Sequence, residues 1–248
     1  MYLIGDIGNT EVKICIFNSS KKLQKKITLK TNLITNKYLN NKLTFMKSFK
    51  NKLHKALFCS VVPNCYKIIK SFIKTKLKIK SVEIKELNLD QFLKIKVNKK
   101  QVGSDRISNA ISVIDGRSNF IVVDFGTATT FDVIIKNNYL GGIIAPGVNL
   151  SLNTLIDKAS LIPPIKLANI TKVLGKNTVA AVRSGFYWGY IGLIENIIKK
   201  IHLQTKKKYK VIFTGGLSDL FRKSINQKIY FNQNLTINGL VKIIKLTE

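Results

Sequence analysis

Two α/β domains of related construction are the fold class this sequence predicts, and three observations carry that prediction. Short apolar runs of strand character alternate with longer segments of helical spacing. A strand–turn–strand pattern built on Asp-x-Gly occurs twice, as Asp6-Ile7-Gly8-Asn9-Thr10 and as Asp124-Phe125-Gly126-Thr127-Ala128. The 248 residues, 45% of them hydrophobic, suffice for two cores of ordinary size. An internal duplication is the simplest source of the repeated pattern. It sets the boundary near residues 116–119, giving domains at 1–117 and 118–248.

In chain order, residues 2–7 read as an apolar strand, Gly8 and Asn9 as a turn, and Val12, Ile14 and Ile16 as the inward positions of a second strand. Residues 25–29 add a third. An amphipathic helix is expected over residues 38–53, an apolar strand over 56–62, and a further helix after Pro63, a residue suited to a first helical turn. Ser104 reads as an N-cap, Ile107, Ala110, Ile111 and Ile114 follow at helical spacing, and Gly116 closes the segment. Asp105 then falls in the first turn, where the helix dipole favours a carboxylate. The opening pattern returns as strands over residues 120–124, 129–135 and 139–145. A helix over 178–202, a strand over 210–214 and a last helix over 235–245 complete the second half.

Lys and Arg number 42 against 13 Asp and Glu, a formal charge of +29, which raises nucleic acid or an anionic membrane as partners. The distribution points elsewhere. The arginines are Arg106, Arg117, Arg183 and Arg222, while lysine is spread along the chain with Ile and Asn, the signature of a compositional bias and a solvated surface. Basic runs such as 206–210 lack the interleaved aromatics of a base-stacking platform. Nucleic acid is therefore not an expected partner. Cys15, Cys59 and Cys65 show neither disulfide nor zinc spacing, which fits a reducing cytoplasm. The first ten residues lack the layout of a secretory signal, and the apolar stretch 179–198 is interrupted by Arg183 and Glu195, so no membrane span is expected.

An Asp-x-Gly turn between strands offers backbone N–H groups to phosphate oxygens, and its carboxylate can meet a metal ion or the ion's waters. One such turn is commonplace; two, one per half and each with a Thr close behind, point to nucleotide binding. Neither GxxxxGK[ST] nor GxGxxG occurs. Gly215 and Gly216 follow an apolar strand directly, where a flat base could approach the backbone, although such a pair also serves plain strand-to-helix turns. Arg106 offers a planar fork for a carboxylate. His54 and His202 lie outside these patterns and read as surface or packing residues.

Asp6-Ile7-Gly8-Asn9-Thr10 with Lys13, Gly103-Ser104-Asp105-Arg106, Asp124-Phe125-Gly126-Thr127-Ala128-Thr129-Thr130 with Asp132, Gly141-Gly142 with Pro146-Gly147, and Thr214-Gly215-Gly216 together resemble the ordered motif set of the type III pantothenate kinases. The resemblance implies two ribonuclease H-like domains of the actin-like ATPase superfamily with an active-site cleft between them. It implies transfer of the γ-phosphoryl group of ATP to pantothenate, giving 4′-phosphopantothenate, with Asp105 as proton acceptor. Carried over by position, Asp6, Ile7, Gly8, Asn9, Thr10, Glu11, Val12 and Lys13 would form the first phosphate loop, with Thr127, Gly215 and Gly216 as further ATP contacts. Gly103, Ser104, Asp105, Arg106 and Thr178 would contact pantothenate. Asp124 would hold a monovalent cation, K⁺ or NH₄⁺, and Asp6 would meet Mg²⁺ brought by ATP.

The family's usual dimers also favour a subunit interface on the helix carrying Gly185, Gly189 and Gly192, whose aromatic neighbours would equally suit a core. One stretch departs from the family pattern: residues 96–101, Lys-Val-Asn-Lys-Lys-Gln, replace the tyrosine and Asn-Pro pair of many relatives, which bears on the pantothenate pocket. The same phosphate turns would serve a kinase for another small hydroxy acid or sugar, and the charge would suit a regulatory nucleic-acid-binding protein of this fold.

Overall fold

The computed structural model describes residues 1–247; Glu248, the expected end of the second domain, lies outside them. The chain runs β1 (Tyr2–Ile7), β2 (Glu11–Phe17), β3 (Leu23–Lys30), α1 (Asn36–Lys42), β4 (Lys55–Ser60), α2 (Pro63–Leu77), β5 (Ser81–Glu83), a two-residue β6 (Lys94–Ile95) and α3 (Ser104–Val113). It continues through β7 (Asn119–Phe125), β8 (Ala128–Ile135), β9 (Asn138–Pro146), α4 (Val148–Lys158), α5 (Thr178–Thr205), β10 (Lys210–Gly215), α6 (Ser218–Arg222), β11 (Ile229–Phe231) and α7 (Leu235–Leu246). Two units result, one of Met1–Val113 with the chain from Leu235 onward, the other of Ile114–Asn234.

In the first unit the strands lie in the order β3-β2-β1-β4-β5. β1 pairs antiparallel with β2 and β2 with β3, whereas β4 joins β1, and β5 joins β4, in parallel. The alternation of β1 and β2 sorts their side chains to two faces. Leu3, Ile7, Val12, Ile14 and Ile16 meet Ile69, Phe72 and Ile73 of α2 in one buried cluster. Ile4, Asp6, Lys13, Cys15 and Cys59 take the opposite face by the same alternation, on the sheet that α3 and α7 cover.

The second unit repeats this plan in the order β9-β8-β7-β10-β11. β7–β8 and β8–β9 are antiparallel, and β10 is parallel to both β7 and β11. Its core joins Ile121, Val123, Phe125 and Phe213 to Tyr187, Ile191, Ile194 and Ile198 of α5. The aromatic residues of α5 thus belong to the core, while a side-chain carbon at Gly185, Gly189 or Gly192 would meet nothing within 4 Å. No helix among the described residues is long and apolar enough to cross a membrane.

Three details differ from the sequence reading. The helix expected over residues 38–53 is α1, capped by Thr35, followed by a 3₁₀ segment over Thr44–Lys52. Leu43, Met46 and Phe49 recur every third residue and all pack into the first core, which suits three residues per turn rather than 3.6. Ser104 is the first residue of α3 rather than its cap: the Ile107 N–H donates to the Gly103 carbonyl at 3.1 Å, so the cap lies one residue earlier.

The last helix, assigned by sequence order to the second half, packs on α3, β1 and β4 of the first. Its register is fixed by polar contacts as well as apolar ones: Ser108 Oγ donates to the Thr236 carbonyl at 2.7 Å, and Thr236 Oγ1 to Asn109 Oδ1 at 2.9 Å. Gly239 lets the backbones meet, since a side-chain carbon there would stand 2.0 Å from the Ser108 carbonyl oxygen. Gly239→Leu is therefore expected to lower unfolding stability by about 2 kcal/mol or more, the scale of overpacking a tight contact, and urea unfolding measures it. An unchanged midpoint would mean that α7 does not hold α3 in this way.

Candidate active site

Asp6 is the penultimate residue of β1, the central strand of its sheet, with Lys13 of β2 as its partner on one side and Cys59 of β4 on the other. Cys59 Sγ donates to Asp6 Oδ1 at 3.3 Å. Burial pushes the Asp6 carboxyl above its usual range; the Lys13 charge and the thiol hydrogen bond pull it back, and the Asp105 charge adds to the rise. Burial, reinforced by the nearby Asp6 charge, holds the Cys59 thiol well above the ordinary range, so it is protonated at neutral pH.

The turn beyond Asp6 is fastened at both shoulders. Gly8 N–H donates to the Glu11 carbonyl at 2.9 Å, Thr31 Oγ1 donates to the Gly8 carbonyl at 2.8 Å, and Thr31 N–H donates to the Thr10 carbonyl at 3.0 Å. Asn9, Thr10 and Glu11 are exposed at the tip, whereas the side chains of Ile7 and Val12 are buried in the core, which leaves only their backbone for a ligand.

α3 begins on the same side of this sheet. Asp105 stands in its first turn and its Oδ1 accepts the Arg106 N–H at 2.8 Å. Burial raises its carboxyl above the usual range against the pull of that hydrogen bond, of the Arg106 guanidinium and of Lys85. The Asp105 charge in turn helps to raise the Asp6 carboxyl, as a second carboxylate nearby in a partly dry site does. Ser104 is buried and Arg106 is half-buried. Gly103 is required by geometry, because a side-chain carbon there would lie 2.4 Å from Asp105 Oδ1.

In the second unit Asp124 holds the corresponding place near the end of β7, paired with Thr130 of β8 and Thr214 of β10. Gly126 and Thr127 are exposed at the turn. This turn is one residue shorter than the first, since Phe125 pairs with Thr129 whereas Ile7 pairs with Val12. Gly215 has φ +89, and a side-chain carbon there would come within 2.6 Å of Asp124 Oδ1, so only glycine fits. Gly216 is open above, its N–H donating to the Phe125 carbonyl at 3.1 Å. Asp132 is fully buried and accepts the Tyr139 hydroxyl at 2.6 Å, a place for a structural acid. Thr178 is exposed as the first residue of α5, whose cap is Asn177 Oδ1 accepting the Ala180 N–H at 2.9 Å.

The first unit thus gathers Asp6, Lys13 and Asp105, and the second gathers Asp124 and Gly215. Three neighbours escaped the sequence reading: Cys59, Thr31 and Lys85. No pattern marks a lone cysteine, a turn threonine 23 residues from its partner, or one lysine in a lysine-rich chain.

A duplicated mixed sheet with an acidic turn at the end of each central strand defines the sugar-kinase and actin-like ATPase class of fold. The structure resembles a ROK family glucokinase from Streptomyces griseus in complex with glucose and AMPPNP, with TM-score 0.54 and 11% identity over 98% of each chain. It also resembles the activator of 2-hydroxyisocaproyl-CoA dehydratase from Clostridium difficile with bound ADPNP, with TM-score 0.54 and 12% identity over 98% of this chain and 93% of that one. Within the class, the family model for type III pantothenate kinase matches residues 2–200. A type III pantothenate kinase of Pelagibacter ubique is 52% identical over the whole of both chains, and one of a Sulfurihydrogenibium species is 36% identical over 97% of this chain and 98% of its own. The chain belongs to the type III pantothenate kinase family.

Gly103→Ala tests the seating of Asp105. The added methyl must displace a carboxylate rather than backbone, so thermal unfolding should stay close to wild type while kinase turnover falls about 10- to 100-fold, the cost of a misplacement near 1 Å. Wild-type turnover in this variant would remove Asp105 from the chemistry.

Proposed function

We propose that this protein transfers the γ-phosphoryl group of ATP to the hydroxyl of pantothenate, giving 4′-phosphopantothenate, the first step of coenzyme A biosynthesis. The observation that carries the reading is end-to-end similarity, at 52% identity, to a type III pantothenate kinase. The partly buried pair Asp6 and Asp105 supports it from the chemistry.

Phosphoryl transfer asks of a protein mainly alignment and charge neutralisation, because the transition state is loose. Asp105 orients the substrate hydroxyl and accepts its proton late in the reaction, a task for which an ionised carboxylate suffices. Arg106 binds the substrate carboxylate through its guanidinium fork, and Gly103, Ser104 and Thr178 complete the pantothenate contacts. Residues 6–13, Thr127, Gly215 and Gly216 bind ATP, Lys13 adding a positive charge beside the first turn.

Hard cations take oxygen ligands, and the strand-end carboxylates Asp6 and Asp124 meet that demand. Among the described residues no group of three or more His, Cys, Asp or Glu could hold a metal ion. Mg²⁺ carried by the ATP phosphates and met by Asp6 fits that sparse donor set, and a monovalent cation at Asp124 is what the likeness to the family implies. Both would supply charge neutralisation of the phosphates.

Three buried free cysteines suit a reducing cytoplasm. A homodimer through α4 and α5 is supported by the open glycine face of α5 and by a groove of about 550 Å³ on α4 lined by Pro146, Leu150, Ser151, Thr154, Leu155 and Lys158. Sedimentation should show twice the monomer mass, and Gly189→Glu should reduce it to the monomer; a wild-type monomer would refute the dimer.

A coupled assay with MgATP and pantothenate should show turnover that rises when K⁺ or NH₄⁺ replaces Na⁺. Asp105→Asn should lower kcat about 10²- to 10⁴-fold in a folded protein. Since burial raises the Asp105 carboxyl and the ionised form is the active one, activity should fall on acidification at a pH above the ordinary carboxylate range. Turnover of a sugar or another hydroxy acid in place of pantothenate would redirect the substrate.

A further inference from the structure

The hydrogen bond between Cys59 and Asp6 has no role in the chemistry above, yet its placement is specific. Cys59 is fully buried on β4, in register with Asp6 on the neighbouring parallel strand, so both side chains project from the same face of the sheet. Its Sγ reaches Asp6 Oδ1 at 3.3 Å. On the opposite side of Asp6 stands Lys13, in register on β2. The carboxylate therefore sits between a charged neighbour on a long, mobile stem and a neutral donor on a stem one carbon long. Of the two, the thiol can fix the carboxylate's orientation, because Lys has several rotatable bonds to reorient whereas a buried Cys has one.

The second half supplies an independent parallel. β10 occupies the place of β4, and the residue in register with Asp124 is Thr214, 3% exposed. In both sheets, then, the strand parallel to the central one sets a small buried residue with a hydrogen-bonding side chain beside the strand-end carboxylate. Leu57, one step earlier on the same face of β4, is apolar and pairs with apolar Ile4, so the hydrogen-bonding residue appears where the carboxylate does.

We infer that Cys59 is a positioning residue for the nucleotide: its thiol holds one oxygen of Asp6, and so presents the other to MgATP. The inference rests on the reading of Asp6 as an ATP and Mg²⁺ contact. A thiol that served only as core filling would affect stability, and through it both substrates alike. A positioning thiol affects the nucleotide side alone.

The test compares wild type with Cys59→Ala, which removes the donor, and Cys59→Ser, which keeps one. MgADP affinity is measured by calorimetry without pantothenate, and KM for MgATP and for pantothenate by the coupled assay, with thermal unfolding alongside. In Cys59→Ala, the MgADP dissociation constant and the MgATP KM should rise about five- to tenfold, the scale of losing one hydrogen bond from a weak thiol donor. The pantothenate KM should stay within about twofold, and Cys59→Ser should recover nucleotide affinity to within about twofold. Unchanged nucleotide affinity in Cys59→Ala, equal losses for both substrates, or no recovery in Cys59→Ser would overturn the inference. If Cys59→Ala does not fold, Cys59→Val keeps bulk without a donor and is judged by the same criteria. Asp6→Asn separates the two layers: full MgADP affinity in that variant sinks the reading of Asp6 itself, while a loss there with wild-type behaviour in Cys59→Ala sinks only the role of the thiol.

Discussion

A carboxylate kept in a partly dry place at the end of a central strand is the constraint on which the first unit turns. Burying Asp6 opposes its ionisation, and the neighbours that offset that cost are a lysine across one strand pair and a thiol across the other. Both are set by sheet register rather than by sequence proximity: Cys59 is 53 residues from Asp6. The tip of α3 then adds a second carboxylate close enough to raise the first. Two acids so placed oppose each other's ionisation, and a cation between them would relieve that opposition.

The supports of this site are spread across the unit. Thr31, at the end of β3, fastens the turn from outside through two hydrogen bonds. α7 backs α3 through Gly239, Ser108 and Thr236, so the helix that carries Asp105 is held by the last helix of the chain. The ion pairs Lys70–Glu86, Lys99–Asp90 and Arg222–Asp219 are all substantially exposed and contribute little by comparison. The large positive charge therefore sets a general field attractive to anions such as nucleotides and does not hold the fold together.

The two sheets share strand order and strand direction, yet they have diverged where chemistry would be sensitive. The first turn is one residue longer, and its flanking strand carries Lys13, where the second pairs Asp124 with Thr130. Gly215 closes on Asp124 in the second half, whereas Ser60 occupies the matching register position in the first. One inherited scaffold thus presents two different carboxylate surroundings, one beside a positive charge and one bounded by hydroxyl-bearing threonines and glycine backbone.

Much of this was legible in the order of residues, because strands and turns announce themselves locally. The alternation of Val12, Ile14 and Ile16, the paired Asp-x-Gly turns and the helical spacing after Ser104 each follow from short-range geometry and together specify the duplicated α/β class, while the resemblance of the ordered motifs pointed to the family and to the acids Asp6, Asp105 and Asp124. Tertiary structure decided what depends on partners remote in the chain. It moved α7 from the second half to the first, since an apolar helix carries no address until a surface is shaped for it. It converted residues 44–52 to a 3₁₀ segment to suit a three-residue packing period, and it placed Cys59 and Thr31 beside a turn to which nothing in their own neighbourhood connects them. Register between strands far apart in sequence is a property of the whole sheet, and for that reason the acids and their near neighbours in the motifs could be named from sequence while Cys59, Thr31 and Lys85 could not.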